Sequence, residues 1–375
     1  MNFLESITSN IYFLLFISAG VAFLISSRIF PAIIYLSNTK NLMDDPEERS
    51  SHINKTPTLG GIGVFISFSI TLILFAVFKK LEQPDLIKIL SLLAGVIILL
   101  FLGIKDDLLV LSPRKKLIGQ IAAAAIVVIM TDVKIYDFSG ILGVGELAAW
   151  FSMLFSIFSF VFIINAFNLT DGIDGLAASV AIMSSLVFGF YFMMNGDVFM
   201  VLISFSLIGG LLSFLSFNLS NTRKIFMGDS GSMFVGFILA FQGISLLAMN
   251  SITTVNFTFN CLPILVLSVL AFPILDTVRV FLIRIRKGRS PFSADRNHIH
   301  HRLIDLGFSH TSATIIIVSI SSLMISSTLL IDSFYMNANI ELLLVLLLAP
   351  VLYLFPFVLE QKKGNIRFTF PKLTF

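Results

Sequence analysis

Val198-Phe199-Met200-Val201-Leu202-Ile203-Ser204-Phe205-Ser206-Leu207-Ile208-Gly209-Gly210-Leu211-Leu212-Ser213-Phe214-Leu215-Ser216-Phe217 contains no charged residue. Crossing a hydrocarbon core as a helix takes roughly 20 apolar residues, so this run is long enough. Its apolar residues are continuous rather than alternating, which selects a helix over a barrel strand. Comparable runs cover Ile11 to Leu36, Leu59 to Phe78, Leu86 to Leu102, Leu117 to Met130, Leu147 to Ile164 and Leu176 to Met194. Others cover Met233 to Met249, Leu262 to Ile283, Ala313 to Ile331 and Leu342 to Leu359. The expected fold is an all-α integral membrane protein of about eleven transmembrane helices. A hydrophobic fraction of 57% and a mean hydropathy of +0.97 exclude an ordinary soluble domain.

Polar residues are distributed one-sidedly over this frame. In a polytopic protein alternate connections share a face, and nearly every Asp-Asp, Asn, His and Gly-rich cluster falls in one alternate set. Most of the 25 Lys and Arg residues fall there too, among them Lys105, Arg114, Lys115, Lys116, Arg223, Lys224, Arg284, Arg286, Lys287, Arg289, Arg296 and Arg302. The other set holds Lys79, Lys80 and Lys134. The positive-inside rule then places the rich face in the cytoplasm, the N-terminus outside and the C-terminus inside. All 5 histidines fall on the rich side.

One polytopic domain is expected over 1–375, with its chemistry within 44–303 and a basic, aromatic cytoplasmic tail over 360–375. The tail mixes Lys362, Lys363, Arg367 and Lys372 with Phe368, Phe370 and Phe375, a composition suited to the headgroup level. Alternation around Ser139-Gly140 predicts a small outer hairpin near 133–144. The residues before Ile11 include Glu5 and no Lys or Arg, so a secretory signal peptide is not expected. Cys261 is the only cysteine, which excludes an internal disulfide and a Cys-based metal site. A nucleic-acid partner is not expected.

The strongest local signal is Asn165-Ala166-Phe167-Asn168-Leu169-Thr170-Asp171-Gly172-Ile173-Asp174-Gly175-Leu176. Asn165, Asn168, Asp171 and Asp174 recur at every third residue, a spacing that lines up on a tightened 3₁₀-like turn. N-capping of the next span explains one carboxylate. It does not explain two amides and two carboxylates in series, a donor and acceptor set suited to a nucleobase or sugar hydroxyls. Asp106 and Asp107 follow the third span. As helix-ending residues they would sit at the negative end of its dipole, which costs about 0.3–1 kcal/mol each. Paired carboxylates there suit Mg²⁺ binding or proton abstraction; alternatively they start the next element.

Gly228-Asp229-Ser230-Gly231-Ser232 precedes another span. Asp229 is either a simple N-cap or a carboxylate that holds a divalent cation bridging phosphates, and the segment offers backbone N–H groups to an anion. The first inside connection runs from Asp44-Asp45 through His52 and Lys55-Thr56-Pro57-Thr58-Leu59 to Gly60-Gly61. It reads as a solvated loop, or as a ligand-facing segment in which Gly60, Gly61 and Gly63 allow close approach. The last inside loop carries Arg296-Asn297-His298-Ile299-His300-His301-Arg302. His298 and His301 would share a helix face, with His300 pointing elsewhere, which makes a three-histidine metal site awkward. Histidine with Arg302 suits phosphate contact. Asp276 and Arg279 are expected to neutralise each other at i,i+3.

Taken in order, Lys55 to Gly61, Asp106-Asp107, Asn165 to Leu176, Phe226 to Ser232 and His298-Ile299-His300-His301 resemble the polyprenyl-phosphate N-acetylhexosamine-1-phosphate transferases. The resemblance spans about Asp44 to Leu303. It implies transfer of a sugar-1-phosphate from a UDP-sugar donor to a polyprenyl phosphate acceptor, with UMP released. It implies Mg²⁺, for which Mn²⁺ substitutes, and a bacterial cytoplasmic (inner) membrane location with the site on the cytoplasmic face. Carried over, Asp106, Asp107 and Asp229 are the catalytic carboxylates, with Asp229 and Asp107 nearest the metal. Asn165, Asn168, Asp171 and Asp174 would contact or orient the nucleotide. Lys55, His298, His300, His301 and Arg302 would contact phosphates and sugar. Direct attack and a covalent aspartyl intermediate both remain open; direct attack needs only positioning and charge neutralisation. A homodimer is compatible with the resemblance, although no surface in the sequence demands one.

The Ser290-Pro291-Phe292 stretch and the His-Ile-His-His form resemble the branch that uses UDP-N-acetylglucosamine to start a cell-envelope glycan such as O-antigen. Ile299 interrupts the run of three histidines usual in the peptidoglycan branch, which transfers phospho-N-acetylmuramoyl-pentapeptide. Transfer of another N-acetylated sugar phosphate is a further alternative. An ion-coupled transporter is the rival of another class, but carriers usually place their site near the midplane, often with sequence repeats, and no repeat is visible here.

Overall fold

A computed structural model describes residues 11–40, 42–44, 55–79, 81–252, 255–290, 296–362 and 365–368. The acidic connection 45–54 with His52, the stretch 291–295 and the tail residues 369–375 lie outside the described residues.

The apolar runs fold as helices because a helix satisfies its own backbone polar groups away from water. In chain order these are α1 (Ile11–Lys40), α2 (Gly60–Lys79), α3 (Gln83–Leu109), α4 (Pro113–Met130), α5 (Ala149–Asn168), α6 (Leu176–Met194), α7 (Val198–Asn218) and α8 (Gly228–Ile252). They continue as α9 (Leu262–Val269), α10 (Ala271–Arg286), α11 (Ile299–Asp305), α12 (His310–Asp332) and α13 (Ala338–Tyr353). Two short antiparallel ladders accompany them: β1 (Met43–Asp44) with β2 (Thr56–Pro57), and β3 (Leu359–Lys362) with β4 (Asn365–Phe368).

Eight of these helices are long and apolar enough to cross a membrane, and nine spans result if α9 and α10 count as one. Three expected runs depart from a straight crossing. Arg114, Lys115 and Lys116 occupy the first turn of α4, so its apolar part, Leu117 to Met130, rises only about 21 Å. Helix α13 has 16 residues. The run from Leu262 is broken at Leu270, and its halves meet at 73°. Pro273 causes the break: it has no N–H, and its ring collides with the carbonyl of Val269 in a continuous helix.

Helices α7 and α8 are central, with 83% and 89% of their apolar windows buried, against 33% for α1 and α12. Helix α7 packs on α1 and α6, and α8 packs on α3 and α5. Large apolar side chains such as Phe16, Val77, Phe101, Phe158 and Leu347 face outward. An apolar outer surface of this extent suits hydrocarbon rather than water. Inside, Gln242 joins Ser185 and Ser204 across three helices, satisfying buried polar atoms.

Connections collect at two ends. At one, Ser251 bonds Asp137, Asn195 bonds Phe257 and Asn260 bonds Met336. The expected hairpin near 133–144 lies at this end but is not a two-stranded ladder: it has a single bridge, Asp137 to Glu146, around a 3₁₀ turn at Ile141–Gly143. Its alternation serves docking on α5 instead, where Ile135 exchanges backbone bonds with Ser152 and Ser156. At the other end the segments near 57, 107, 170, 227 and 300 converge.

Candidate active site

The N-terminus of α8 organises that second end. Phe226 N–H donates to the Pro57 carbonyl at 2.8 Å, and Gly60 and Gly61 N–H donate to the carbonyls of Phe226 and Met227 at 2.9 Å. The Thr58 to Gly61 segment is thereby laid against Gly228 to Gly231. Side chains at Gly61 and Gly103 would collide with the backbone at Ser230 and Gly231, so glycine is what lets α2 and α3 approach the start of α8. Lys55 is exposed and immediately precedes β2, at the rim of this junction.

Both aspartates of the pair lie in the last turn of α3. Asp107 accepts the Asp229 N–H at 2.8 Å and the Ser230 N–H at 3.2 Å. The backbone donors that the sequence offers to an external anion are therefore taken by a carboxylate of the protein itself. The same contact places Asp107 at the positive end of the α8 dipole, which offsets its position at the negative end of α3. Asp106 accepts the Leu111 N–H at 2.5 Å and pairs with Lys116. Lys116 also reaches Asp229 at 2.6 Å, bridging the two carboxylates.

Asp229 does not cap its own helix. Its carboxylate receives Lys116 and, at 3.0 Å, the Asn168 amide, which also donates to Ser232 Oγ at 2.7 Å. Beyond Asn168 the chain tightens as the three-residue spacing predicts: Thr170 and Asp171 N–H donate to the carbonyls of Phe167 and Asn168, both i to i−3. Burial, then the charges of Asp229, Asp107 and Asp174, push the Asp171 carboxyl up to about 7, against the pull of the Gly228 backbone. Asp171 thus faces the same carboxylate group as Asp107 and Asp229.

The other two members of that series go elsewhere. Asn165 makes a reciprocal amide pair with Gln120 of α4, at 2.7 and 3.3 Å, clamping α5 to α4. Asp174 accepts Lys224 Nζ at 2.6 Å and lies 2.9 Å from His310 Nδ1. Against the upward effect of burial, these two partners hold the Asp174 carboxyl below the usual range. Asn218 completes this turn by accepting the Gly175 N–H at 2.6 Å and donating to the Ile225 carbonyl at 2.8 Å.

The histidines converge, contrary to expectation. Helix α11 starts only at Ile299, and His298 is an extended N-cap with φ −67° and ψ 153°. Helical phasing therefore does not apply to His298. Its ring stacks on His300 at 5.5 Å, and His300 stands 4.3 Å from His301. Asp276 contacts His298 Nδ1 at 2.8 Å, accepts the Ile299 N–H at 3.0 Å and lies 3.5 Å from Arg279. It does more than neutralise Arg279: it fixes the entry of α11. His300 packs against Gly172, where a Cβ would displace the imidazole, so the histidines abut the Asp171 turn. Burial and neighbouring histidines hold His300 well below the ordinary imidazole range and His301 below it. The Nδ1 atoms of both are buried with no hydrogen-bond partner among the described residues. Arg302 turns away, donating to the carbonyls of Pro356 and Leu359 and anchoring the C-terminal segment.

Lys116, Gln120, Lys224 and His310 were not identified as site residues from sequence. For Lys116 and Gln120 a signal exists: they share the α4 face that continues through the buried Ala123 and Val127. A polar pair in line with a buried apolar stripe marks an inward-facing position.

Asp106, Asp107, Asp171 and Asp229 gather, and Lys116 pairs with Asp106 and Asp229. Among the described residues, no three His, Cys, Asp or Glu side chains close into a metal cage. A hard cation such as Mg²⁺ does not require one, because it takes one or two carboxylates and keeps several waters. The donor set fits it: Asp106 and Asp229 already converge on the single ammonium of Lys116.

A bundle of apolar helices with a carboxylate-rich site at one end defines a polytopic membrane protein, and comparison with known proteins shows that it is an enzyme. Residues 89–249 match glycosyl transferase family 4. The chain is 34% identical over 304 residues to the decaprenyl-phosphate N-acetylglucosaminephosphotransferase of Mycobacterium leprae, covering 75% of each chain. It is 33% identical over 331 residues to the protein of the same name from Mycolicibacterium smegmatis, covering 82% of this chain and 81% of that one. It is 29% identical over 319 residues to the undecaprenyl-phosphate alpha-N-acetylglucosaminyl 1-phosphate transferase of Escherichia coli, covering 83% and 82%. The chain belongs to glycosyl transferase family 4.

Proposed function

We propose that the protein transfers N-acetylglucosamine-1-phosphate from UDP-N-acetylglucosamine to a polyprenyl phosphate, giving a polyprenyl diphosphate sugar and UMP. The observation that carries this reading is the convergence of Asp106, Asp107, Asp171, Asp229 and Lys116 where α3, α4, α5 and α8 meet, in a chain whose relatives are named for transfer of N-acetylglucosamine phosphate to a polyprenyl phosphate. An oxygen of the lipid phosphate attacks the β-phosphorus of the donor. The bond from that phosphorus to the bridging oxygen breaks, and UMP leaves with the electron pair.

Asp229, with Asp106 or Asp107, would hold Mg²⁺, which neutralises phosphate charge when bound. Lys116 holds Asp106 and Asp229 in register and adds a positive charge beside the phosphates. Asn168 orients Asp229. His300 and His301, whose burial disfavours the charged form and whose Nδ1 atoms have no partner among the described residues, would offer hydrogen-bonding groups to the sugar or phosphates, and Asp276 fixes the segment that carries them.

The site faces the cytoplasm of a bacterial inner membrane in this reading, with the N-terminus outside. Support comes from the Lys and Arg bias and from the meeting place required: a cytosolic nucleotide sugar and a lipid phosphate at the inner surface. The short helices α4 and α13 and the bent α9–α10 pair complete eleven crossings.

The test is a donor panel in detergent with Mg²⁺ and undecaprenyl phosphate. UMP release with UDP-N-acetylglucosamine is the expected result. Release only with UDP-N-acetylmuramoyl-pentapeptide would move the protein to peptidoglycan synthesis, and release with no donor would remove the transferase reading.

A further inference from the structure

At the end of the bundle away from Asp229 there is a cavity of about 220 Å³. It lies among the first turns of α3 and α7, the segment after α4 and the last turns of α8. Ser245 follows Asp229 by sixteen positions on α8, about 24 Å of axial rise, so this cavity is separate from the carboxylate site.

Its lining is two-sided. Met200 and Met249 contribute an apolar wall, while Lys88, Asp132 and Asp197 supply charge. Ser245, which also lines it, is 7% exposed, and its Oγ has no hydrogen-bond partner among the described residues. Some serines of the spans fold back onto their own helix, as Ser204 does onto the Met200 carbonyl at 2.8 Å; Ser37, Ser69, Ser206, Ser213 and Ser230 share the unpartnered state of Ser245, but none of them lines this cavity. A buried hydroxyl left without a partner is costly, and one that lines a cavity is a vacant contact for an occupant.

The charges specify the occupant further. Lys88 faces two carboxylates here and is 3.6 Å from Asp85 on its own helix, so the cavity is net acidic. Asp197 caps α7 through the Met200 N–H at 2.9 Å. Burial raises its carboxyl above the ordinary range despite that bond and Lys88, so an added cation would stabilise its ionised form. Beside the cavity, α3 exposes Leu86, Ile87 and Leu90, an apolar flank next to a polar mouth. An amphiphile fits that juxtaposition better than a soluble ion does.

We propose that this cavity binds the headgroup of a primary-amine phospholipid, with the ammonium on Asp132, Asp197 and Ser245 Oγ, the phosphate on Lys88 and the acyl chains along the α3 flank. The primary amine matters because carboxylates and a hydroxyl accept N–H donors, which a quaternary ammonium lacks. The inference is independent of the transfer reaction.

The test is native mass spectrometry of the full chain in detergent, titrated with phosphatidylethanolamine, phosphatidylcholine and phosphatidylglycerol of identical acyl chains. Wild type is expected to retain phosphatidylethanolamine about fivefold or more over the other two. Asp197→Asn preserves the cap, because Asn caps as well as Asp, and removes the charge; Ser245→Val removes the hydroxyl. Each is expected to bring the preference close to parity. Lys88→Gln, on a half-buried side chain, gives a third variant should either of these fail to fold. Equal retention of phosphatidylcholine, or a preference unchanged in all folded variants, would overturn the proposal. Displacement of the lipid by millimolar O-phosphoethanolamine would reassign the cavity to a soluble amine and overturn the lipid assignment.

Discussion

Asp107, at the end of α3, caps α8, whose first turn holds Asp229: its carboxylate oxygens accept the N–H groups of Asp229 and Ser230 at 2.8 and 3.2 Å. The cap comes from a residue more than a hundred positions away, so Asp229 is left free to turn its own carboxylate toward Lys116 and Asn168. One contact thus serves both the fold and the site.

Asp107→Ala should remove that cap and cost about 1–2 kcal/mol of stability, the upper part of the range for a lost N-cap. Asp107→Asn keeps one acceptor and should cost less. Thermal unfolding in detergent separates the two. Identical midpoints for both variants and wild type would show that the contact does not stabilise the fold.

Asp229→Asn should reduce transfer by about 10²-fold or more, as loss of one preorganised charge-stabilising group typically does. It should also abolish any rise in the thermal midpoint on adding Mg²⁺. Wild-type turnover with an ordinary Mg²⁺ dependence would remove Asp229 from the metal site.

Lys116→Met leaves Asp106 and Asp229 without the ammonium between them. The pair is only partly shielded from solvent, so the expected loss is about 1–3 kcal/mol in metal-free buffer, below the range for a fully buried pair. Added Mg²⁺ should restore much of it, because a cation again neutralises the two carboxylates. A loss of stability that Mg²⁺ leaves unchanged would argue that Lys116 acts through packing alone.

The Asp171 carboxyl, raised to about 7 by burial and by Asp229, Asp107 and Asp174, predicts a pH signature. In the unfolded chain the group titrates near its ordinary value of about 3.9. The folded state holds the proton more tightly, so the stability it contributes is full below about pH 4 and is lost as pH rises through about 7. Asp171→Asn abolishes this titration. In EDTA the variant should be more stable than wild type near pH 8, and the difference should shrink as pH falls and be small near pH 4, while transfer activity is lost. A constant difference across that range would contradict the assignment.

Asn165 and Asn168 show how far the sequence could be read. Both belong to one three-residue series, yet one clamps Gln120 and the other holds Asp229, because the series straddles the point where α5 ends and the turn tightens. Residue spacing predicted the turn; which member faced the site depended on α4, more than forty residues earlier. The histidines failed for a related reason, since phasing on a continuous helix assumed that His298 was helical and α11 begins one residue later. The apolar runs were legible because hydrocarbon imposes helix on any continuous apolar stretch. The bend at Leu270 was legible in principle from Pro273, and was missed because uninterrupted hydropathy masks a missing backbone donor.

The most direct test of the central claim is the fate of phosphorus in the donor. UDP-N-acetylglucosamine labelled at its β-phosphorus should be incubated with the protein, undecaprenyl phosphate and Mg²⁺. Transfer of a sugar phosphate predicts that the label moves into the lipid fraction and that unlabelled UMP is released. Label remaining in water-soluble UDP while sugar enters the lipid, or no movement of either, would contradict the account.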